Sequence, residues 1–474
     1  MIFHSLDFVV FFVVTLVIYW RLPHRGQNLF LVLASYLFYG YVHPWFVGLV
    51  FATTVLDYWA GRGMAAQPDR KRLFLGLSLL GNLGMLGFFK YFGFFVENVH
   101  AALVPLGLDL PPTALRIVLP VGVSFYTFQE LSYTIDVYRG RLAARRDFLD
   151  FAAFVCFFPQ LVAGPIERAS RLLPQIERQR TFSWEDARQA TFLMIWGYFQ
   201  KLVIADNVGV IANKVFALEH PGFSVLWAGV FAFAIQIYAD FSAYSDIARG
   251  AARWLGVDLM RNFKHPYLAI GPADFWRRWH ISLSSWFRDY VYIPLGGSRS
   301  GGARTAMNVM ITFLLSGFWH GASWNYVLWG GYHGALLLAG RALEPFLPRS
   351  PAVRRLLTPV RIALMFALVS VGWLFFRETE VSYLWRDLRL SPLASTPLDL
   401  RVGGYLFLLA LTYSTPLWVH DLWAEYGKAR LDTVDWPWRT AREIVWDAAC
   451  CAVLVSLMLV FRSRTSLDFI YFQF

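Results

Sequence analysis

The chain has 474 residues, of which 57% are apolar, 18% aromatic and only 16% charged, and its formal net charge is +11. A soluble globular protein carries about 25% charged residues, so this composition excludes a soluble particle of this size and also intrinsic disorder. Three cysteines (Cys156, Cys450, Cys451) and no CxxC pair exclude a disulfide framework and a cysteine-held zinc site.

Apolar runs near the length that crosses about 30 Å of hydrocarbon recur along the chain. The first, 8–20, follows Met1–Phe8, which holds Asp7 and neither Lys nor Arg; Arg21 and Arg25 come directly after it. The positive-inside rule therefore expects the N-terminus outside and 21–27 inside. With no basic n-region or small-residue cleavage site, this run reads as a span and not a signal peptide. Runs at 28–42, 46–60 and 73–95 follow, the last preceded by Arg62, Arg70, Lys71 and Arg72. Those at 117–137 and 150–164 are separated by Arg139, Arg141, Arg145 and Arg146. Arg168, Arg171, Arg178, Arg180 and Arg188 come next, which places these connections in the cytoplasm.

The remaining runs are 189–212, 224–255, 306–322, 324–343, 360–376, 402–419 and 445–461. Segments in lipid must satisfy their own backbone, so the expectation is an all-α polytopic integral membrane protein. Some runs are half-spans, giving roughly 11 to 13 helices. Leu343–Pro359, Ser391–Leu400 and His420–Glu443 read as loops. No internal repeat is visible, which weakens a secondary-transporter reading. The +11 charge is explained by topology, and no nucleic-acid partner is expected.

Arg261–Arg304 departs from the pattern. It mixes seven basic residues with Phe275, Trp276, Trp279, Trp286, Phe287, Tyr290 and Tyr292, and Ile293-Pro294-Leu295-Gly296-Gly297 then breaks the helix. Aromatics interleaved with Arg suit helices at the headgroup level; a re-entrant segment lining a watery cavity fits equally. Residues 305–340 then contain no Asp, Glu, Lys or Arg, yet hold His320 and His333. A histidine at bilayer depth must face protein or water and is a functional candidate by default. A structural histidine satisfies the same spacing, more so for His333. His280 lies 40 residues before His320, flanked by Arg277 and Arg278. A neutral imidazole is a general base near neutral pH, and two converging histidines would suit acyl transfer to a hydroxyl.

Asp240 and Asp246 interrupt an apolar run. They could line a substrate path, bind a cation, pair with Arg249 or Arg253, or fix helix packing. Asn325 follows the His320 stretch in the same charge-free region. No HExxH, P-loop, GxGxxG or GxSxG is present, so no metal, nucleotide or hydrolase-type serine chemistry is expected.

Phe275-Trp276-Arg277-Arg278-Trp279-His280-Ile281-Ser282-Leu283-Ser284, Arg288-Asp289-Tyr290-Val291-Tyr292-Ile293-Pro294-Leu295-Gly296-Gly297 and Trp319-His320-Gly321 resemble the membrane-bound O-acyltransferase (MBOAT) family, most of all its bacterial alginate O-acetyltransferase branch. Weaker aromatic blocks agree: Ser35–Gly40, Pro120–Gln129, Phe158–Ile166, Gln236–Asp246, Gly372–Arg377 and Phe469–Phe474. The resemblance implies one MBOAT membrane domain over 1–474, with 261–343 as its catalytic core and re-entrant or interfacial segments around a central tunnel. It maps the family's essential histidine onto His320 and its second motif histidine onto His280. It further implies a multi-pass protein of the bacterial inner membrane with no permanently bound cofactor and acetyl-CoA as acyl donor. The acetyl group would pass to periplasmic acetyltransferase partners and so to a polysaccharide, with Arg277, Arg278, Asp240, Asp246 and Asn325 as substrate-binding candidates. Alternatives are O-acylation of peptidoglycan or cellulose, D-alanylation of teichoic acid, or a transporter or flippase for lipid-linked sugar.

Overall fold

The computed structural model describes residues 1–107, 118–162, 164–299, 301–348, 350–427, 439–465 and 467–470, with the side chains of 439–442 excepted. Among these residues the chain is helical and contains no strand. It divides into two compact units, Met1–Thr191 with Ala248–Met260, and Phe192–Ile247 with Arg261–Phe474.

The first unit contains α1 (Leu6–Tyr19), α2 (His24–Gly40), α3 (Phe46–Ala66) and α4 (Lys71–Leu86). A π turn, Gly87–Tyr91, carries α4 into α5 (Phe92–Leu103). Then come α6 (Val123–Tyr138), α7 (Phe148–Cys156), α8 (Phe158–Leu161), α9 (Ala169–Glu177) and the start of α10 (Trp184–Phe199). Ser5 begins α1 by accepting from the Phe8 amide, and Asp147 begins α7 by accepting from Leu149 and Asp150, each satisfying amides that a helix start leaves open. α6 is buried almost all round although it carries Ser124, Thr127, Gln129, Glu130, Ser132 and Thr134. Neighbouring helices answer several of these groups: Ser78 of α4 donates to Thr134 at 3.0 Å, and Gln129 donates to the Phe154 carbonyl at 2.6 Å. This unit therefore has a polar helical core, and that polarity fixes its register.

In the second unit α10 continues through a π turn, Gln200–Ala205, into α11 (Asp206–Phe216). α12 (Phe223–Trp254) follows, then two seven-residue helices, α13 (Pro272–Arg278) and α14 (Ile281–Phe287). The unit closes with α15 (Gly302–His320), α16 (Trp324–Leu343), α17 (Pro351–Arg377), α18 (Val381–Leu388), α19 (Pro397–Leu422) and α20 (Arg439–Phe461). α15 and α16 cross so closely that a Cβ on Gly317 would run into the Tyr326 carbonyl, and one on Gly330 into that of Phe313. Small residues at a crossing allow this backbone approach, and it fixes where the end of α15 lies.

Five stretches among the described residues are long and apolar enough to cross a membrane: Pro68–Leu106, Phe223–Trp254, Pro351–Arg377, Pro397–Gly427 and Glu443–Phe461. The architecture is that of an all-α, multi-pass membrane protein.

Several expectations change. The run 150–164 is not a span: Pro159 and a break at Phe157 divide it into α7 and α8, of nine and four residues, and the apolar side chains from Phe151 to Leu161 are core. Of the run 117–137, Ile117 lies outside the described residues and the helix starts at Val123. Leu343–Pro359 and Ser391–Leu400 are largely helix, because Pro351 and Pro397 each stand in a first helical turn, where the missing amide proton costs nothing. His420–Glu443 is helical through Gly427 and again from Arg439, with 428–438 outside the described residues. Arg261–Arg304 contains a 3-10 turn at Pro266–Leu268, α13, α14, a π turn at Arg288–Tyr292 and the start of α15, with Ser300 outside the described residues.

Candidate active site

His320 is the last residue of α15 and is buried. Its ring meets those of Trp329 and Phe376 edge-on, with centroids 5.0 and 5.3 Å away. At the next position a Cβ on Gly321 would collide with the Tyr326 ring. Glycine there admits Tyr326, which packs on Phe376 at 4.9 Å, and Phe376 in turn closes on His320. His333 is buried among Trp276, Trp329 and Phe275, at 5.1, 4.9 and 6.1 Å, a packing environment for that ring.

His280 sits between α13 and α14 with a left-handed backbone, φ 41° and ψ 55°, a conformation costly for any residue with a Cβ. It is buried against Phe241 at 4.7 Å, Phe263 at 6.4 Å and Trp319 at 6.2 Å. Trp319 thus packs on both His280 and its chain neighbour His320. Both histidines predicted from sequence border one aromatic cluster of the second unit.

The two arginines before His280 have separate environments. Arg278 is 16% exposed and pairs with Asp274 at 3.0 Å and Glu425 at 2.9 Å. Burial works against its charge, and the two carboxylates outweigh that effect and hold the guanidinium above its ordinary range. Arg277 is 73% exposed and reaches Asp274 only at 3.8 Å. It lines a cavity of about 480 Å³ together with Ser284, Ser285, Arg288, Ser316 and Arg341. Ser316 lies four residues before His320 on the same face of α15, so the cavity reaches this helix within one turn of the histidine. Arg288 belongs to a motif read from sequence, without a role of its own there; Arg341 belongs to none. Arg341 stands one residue beyond the charge-free stretch, which is the signal that could have found it.

Asp240 does not pair with Arg249 or Arg253. Its partner is Lys201, on the π turn after α10, at 2.9 Å. Lys201 also holds Asp206 at 2.9 Å, and all three groups are buried. Arg253 pairs instead with Asp186 at 2.8 Å. The trio also clamps the C-terminal tail: Lys201 donates to the Leu467 carbonyl at 2.9 Å, and the Ile470 amide donates to Asp240 at 2.7 Å. Phe469 stacks on Tyr244 at 4.0 Å, while 471–474 lie outside the described residues. Asp246 is half-buried, and six residues place it on a different face of α12 from Asp240. Asn325 is buried and donates to the Phe375 carbonyl at 3.3 Å, fastening α16 to α17. Asp240 and Asn325 thus each have a structural partner, Lys201 and the Phe375 carbonyl.

Among the described residues, His265, His420 and Asp421 bring three ligand atoms within 4.8 Å. One Asp421 oxygen already meets Nδ1 of both histidines, at 2.8 and 3.1 Å, and the other accepts from Tyr238 at 2.8 Å. Arg261 lies 3.3 Å from the remaining His265 nitrogen. A cation at this point would face a guanidinium, so the trio is a hydrogen-bonded clasp between the loop after α12 and α19.

The chain is similar to known proteins over most of its length. The profile of MBOAT, the membrane-bound O-acyltransferase family, matches residues 141–376, which include both histidines. The chain is 41% identical over 392 residues to a probable alginate O-acetylase of Azotobacter vinelandii, covering 81% of this chain and 77% of that protein. It is 31% identical over 501 residues to a peptidoglycan O-acetyltransferase of Helicobacter pylori, covering 94% and 91%. It is 25% identical over 272 residues to a teichoic acid D-alanyltransferase of Bacillus subtilis, covering 54% and 68%. A buried histidine at the end of a helix that carries no charge from Thr305 onward, a second one packed on the adjacent tryptophan, and a multi-pass helical frame are thus found in a chain that belongs to the membrane-bound O-acyltransferase family, an O-acyltransferase of the membrane.

Proposed function

We propose that this protein takes an acetyl group from acetyl-CoA on the cytoplasmic side of the bacterial inner membrane and passes it outward for O-acetylation of a polysaccharide, alginate above all. The periplasmic N-terminus and the delivery through periplasmic acetyltransferase partners belong to the same reading. The observation that carries it is His320, buried one turn from a cavity that presents Arg277, Arg288 and Arg341. Arginines are suited to the phosphates of a CoA thioester. In the reaction the thioester C–S bond breaks, a C–O ester bond forms, the acceptor hydroxyl proton passes to an imidazole, and that proton is returned to the departing thiolate. His320 is the general base or, in a two-step variant, takes the acetyl group on a ring nitrogen.

Acceptors other than alginate are the second reading, favoured by the relatives whose names specify peptidoglycan and teichoic acid. Mass spectrometry of the cell-envelope polymers with and without the gene tests both. Loss of acetyl ester from alginate alone supports the first reading. Loss from peptidoglycan, or of D-alanine from teichoic acid, replaces it with the second. No change in any ester contradicts acyl transfer.

The arginines give a further expectation. Arg277→Gln combined with Arg341→Gln will raise the KM for acetyl-CoA by about tenfold, the value of a lost charged hydrogen bond or two, without altering the melting temperature. Arg278→Gln will instead lower the melting temperature, since it removes the cation of Glu425 and the nearer of the two arginines that pair with Asp274. KM and thermal melts of the purified variants in detergent decide this.

A further inference from the structure

His280 adopts its left-handed backbone because Asn262 grips it from two directions. The Ile281 amide donates to the Asn262 main-chain carbonyl at 2.8 Å. The Asn262 side-chain Oδ1 accepts from the Ser282 amide at 3.3 Å and the Ser282 hydroxyl at 2.7 Å, and it meets His280 Nδ1 at 3.3 Å. Its Nδ2 donates to Ser245 Oγ of α12 at 3.1 Å. A backbone N–H can only donate, so the amide atom facing Ser282 is oxygen, and the flip is fixed without appeal to the histidine. An oxygen in that position requires a proton on His280 Nδ1, so Nε2 is the unprotonated nitrogen of the neutral ring.

We propose that Asn262 is a positioning residue for His280, holding its imidazole in the Nδ1–H form with Nε2 as the basic nitrogen. The inference rests on the proposed acyl transfer and on His280 taking part in it. Asn262 is buried, so its four contacts are made away from water, where an unmet partner is expensive. Phe241, Phe263 and Trp319 pack on His280 and carry no charge, and Trp319 also meets His320. The neighbouring Arg278 is directed to Asp274 and Glu425. Asn262 therefore bears directly on the tautomer of the ring.

The test uses the full-length chain in membranes of the producing strain, with acetyl-CoA turnover followed from about pH 5 to about pH 9. Asn262→Leu is expected to lower kcat by about 10²-fold with KM for acetyl-CoA unchanged. Asn262→Asp retains the acceptor and adds a negative charge beside Nδ1. That stabilises the imidazolium, so the acidic limb of the kcat profile is expected to move up by about one pH unit or more. A purely structural residue would change the amount of folded protein and leave kcat per molecule and the limb in place, and that result overturns the inference. Where Asn262→Leu does not reach the membrane, the isosteric Asn262→Asp decides alone. His280→Ala is measured alongside: full activity there removes His280 from the reaction and the inference with it. An inactive His280→Ala beside unaltered Asn262 variants overturns the inference only.

Discussion

Replacing His320 with Ala will lower acetyl transfer by about 10²–10⁴-fold, the range for loss of a general acid–base group, while the protein still assembles in the membrane. Two features make this a chemical loss. The ring sits at the very end of α15, where the helix has already been fixed by the close crossing of Gly317 and Gly330 with α16. Its neighbours Trp329 and Phe376 also pack on one another at 5.4 Å, and on Trp373 at 6.4 and 5.8 Å, so the aromatic cluster survives removal of the imidazole. The Ala variant is therefore expected to match wild type in membrane abundance and in elution from a sizing column. Near-normal turnover at equal abundance would remove His320 from the chemistry.

The second large effect falls on stability. Lys201→Met will destabilise the protein by about 3–5 kcal/mol, as expected when one member of a buried ionic set is removed. Asp206 and Asp240 would remain buried with no cation, and the C-terminal tail would lose the Lys201–Leu467 bond. Adding Asp206→Asn and Asp240→Asn to Lys201→Met will recover much of the loss, because a neutral set of similar shape no longer buries uncompensated charge. Thermal melts of the single and triple variants read this directly. A triple variant as unstable as the single one would mean that packing around Lys201, and not charge, holds the trio.

The sequence already pointed to the helical frame, because lipid permits little else and apolar runs of spanning length are easily seen. It misread 150–164, since periodicity alone cannot tell a buried apolar segment from a lipid-facing one. Pro159 was the available sign. It also left His420 and Asp421 in a loop, whereas they lie on α19 and clasp His265 across 156 residues of chain. Such a contact leaves no local mark. His320 was legible because charge vanishes around it, and His280 through the motif that contains it. Arg277 and Arg278 looked equivalent as neighbours, but one helical step of about 100° sends one to the cavity and the other to Glu425. Lys201 is a lone cation in an apolar run and could have been suspected. Asn262 could not, because its importance lies in four hydrogen bonds that form only when α12 and α14 come together.

The central claim is that acetyl-CoA supplies the acetyl group and that His320 is needed to move it. Sealed inverted membrane vesicles given acetyl-labelled acetyl-CoA on their exposed cytoplasmic face test it, with label read on polysaccharide recovered from the lumen. Label in the lumen with the wild-type chain, and its loss with His320→Ala at equal protein, is the result predicted here. Equal label with both chains, or lumenal ester formed from unlabelled sources only, would contradict it.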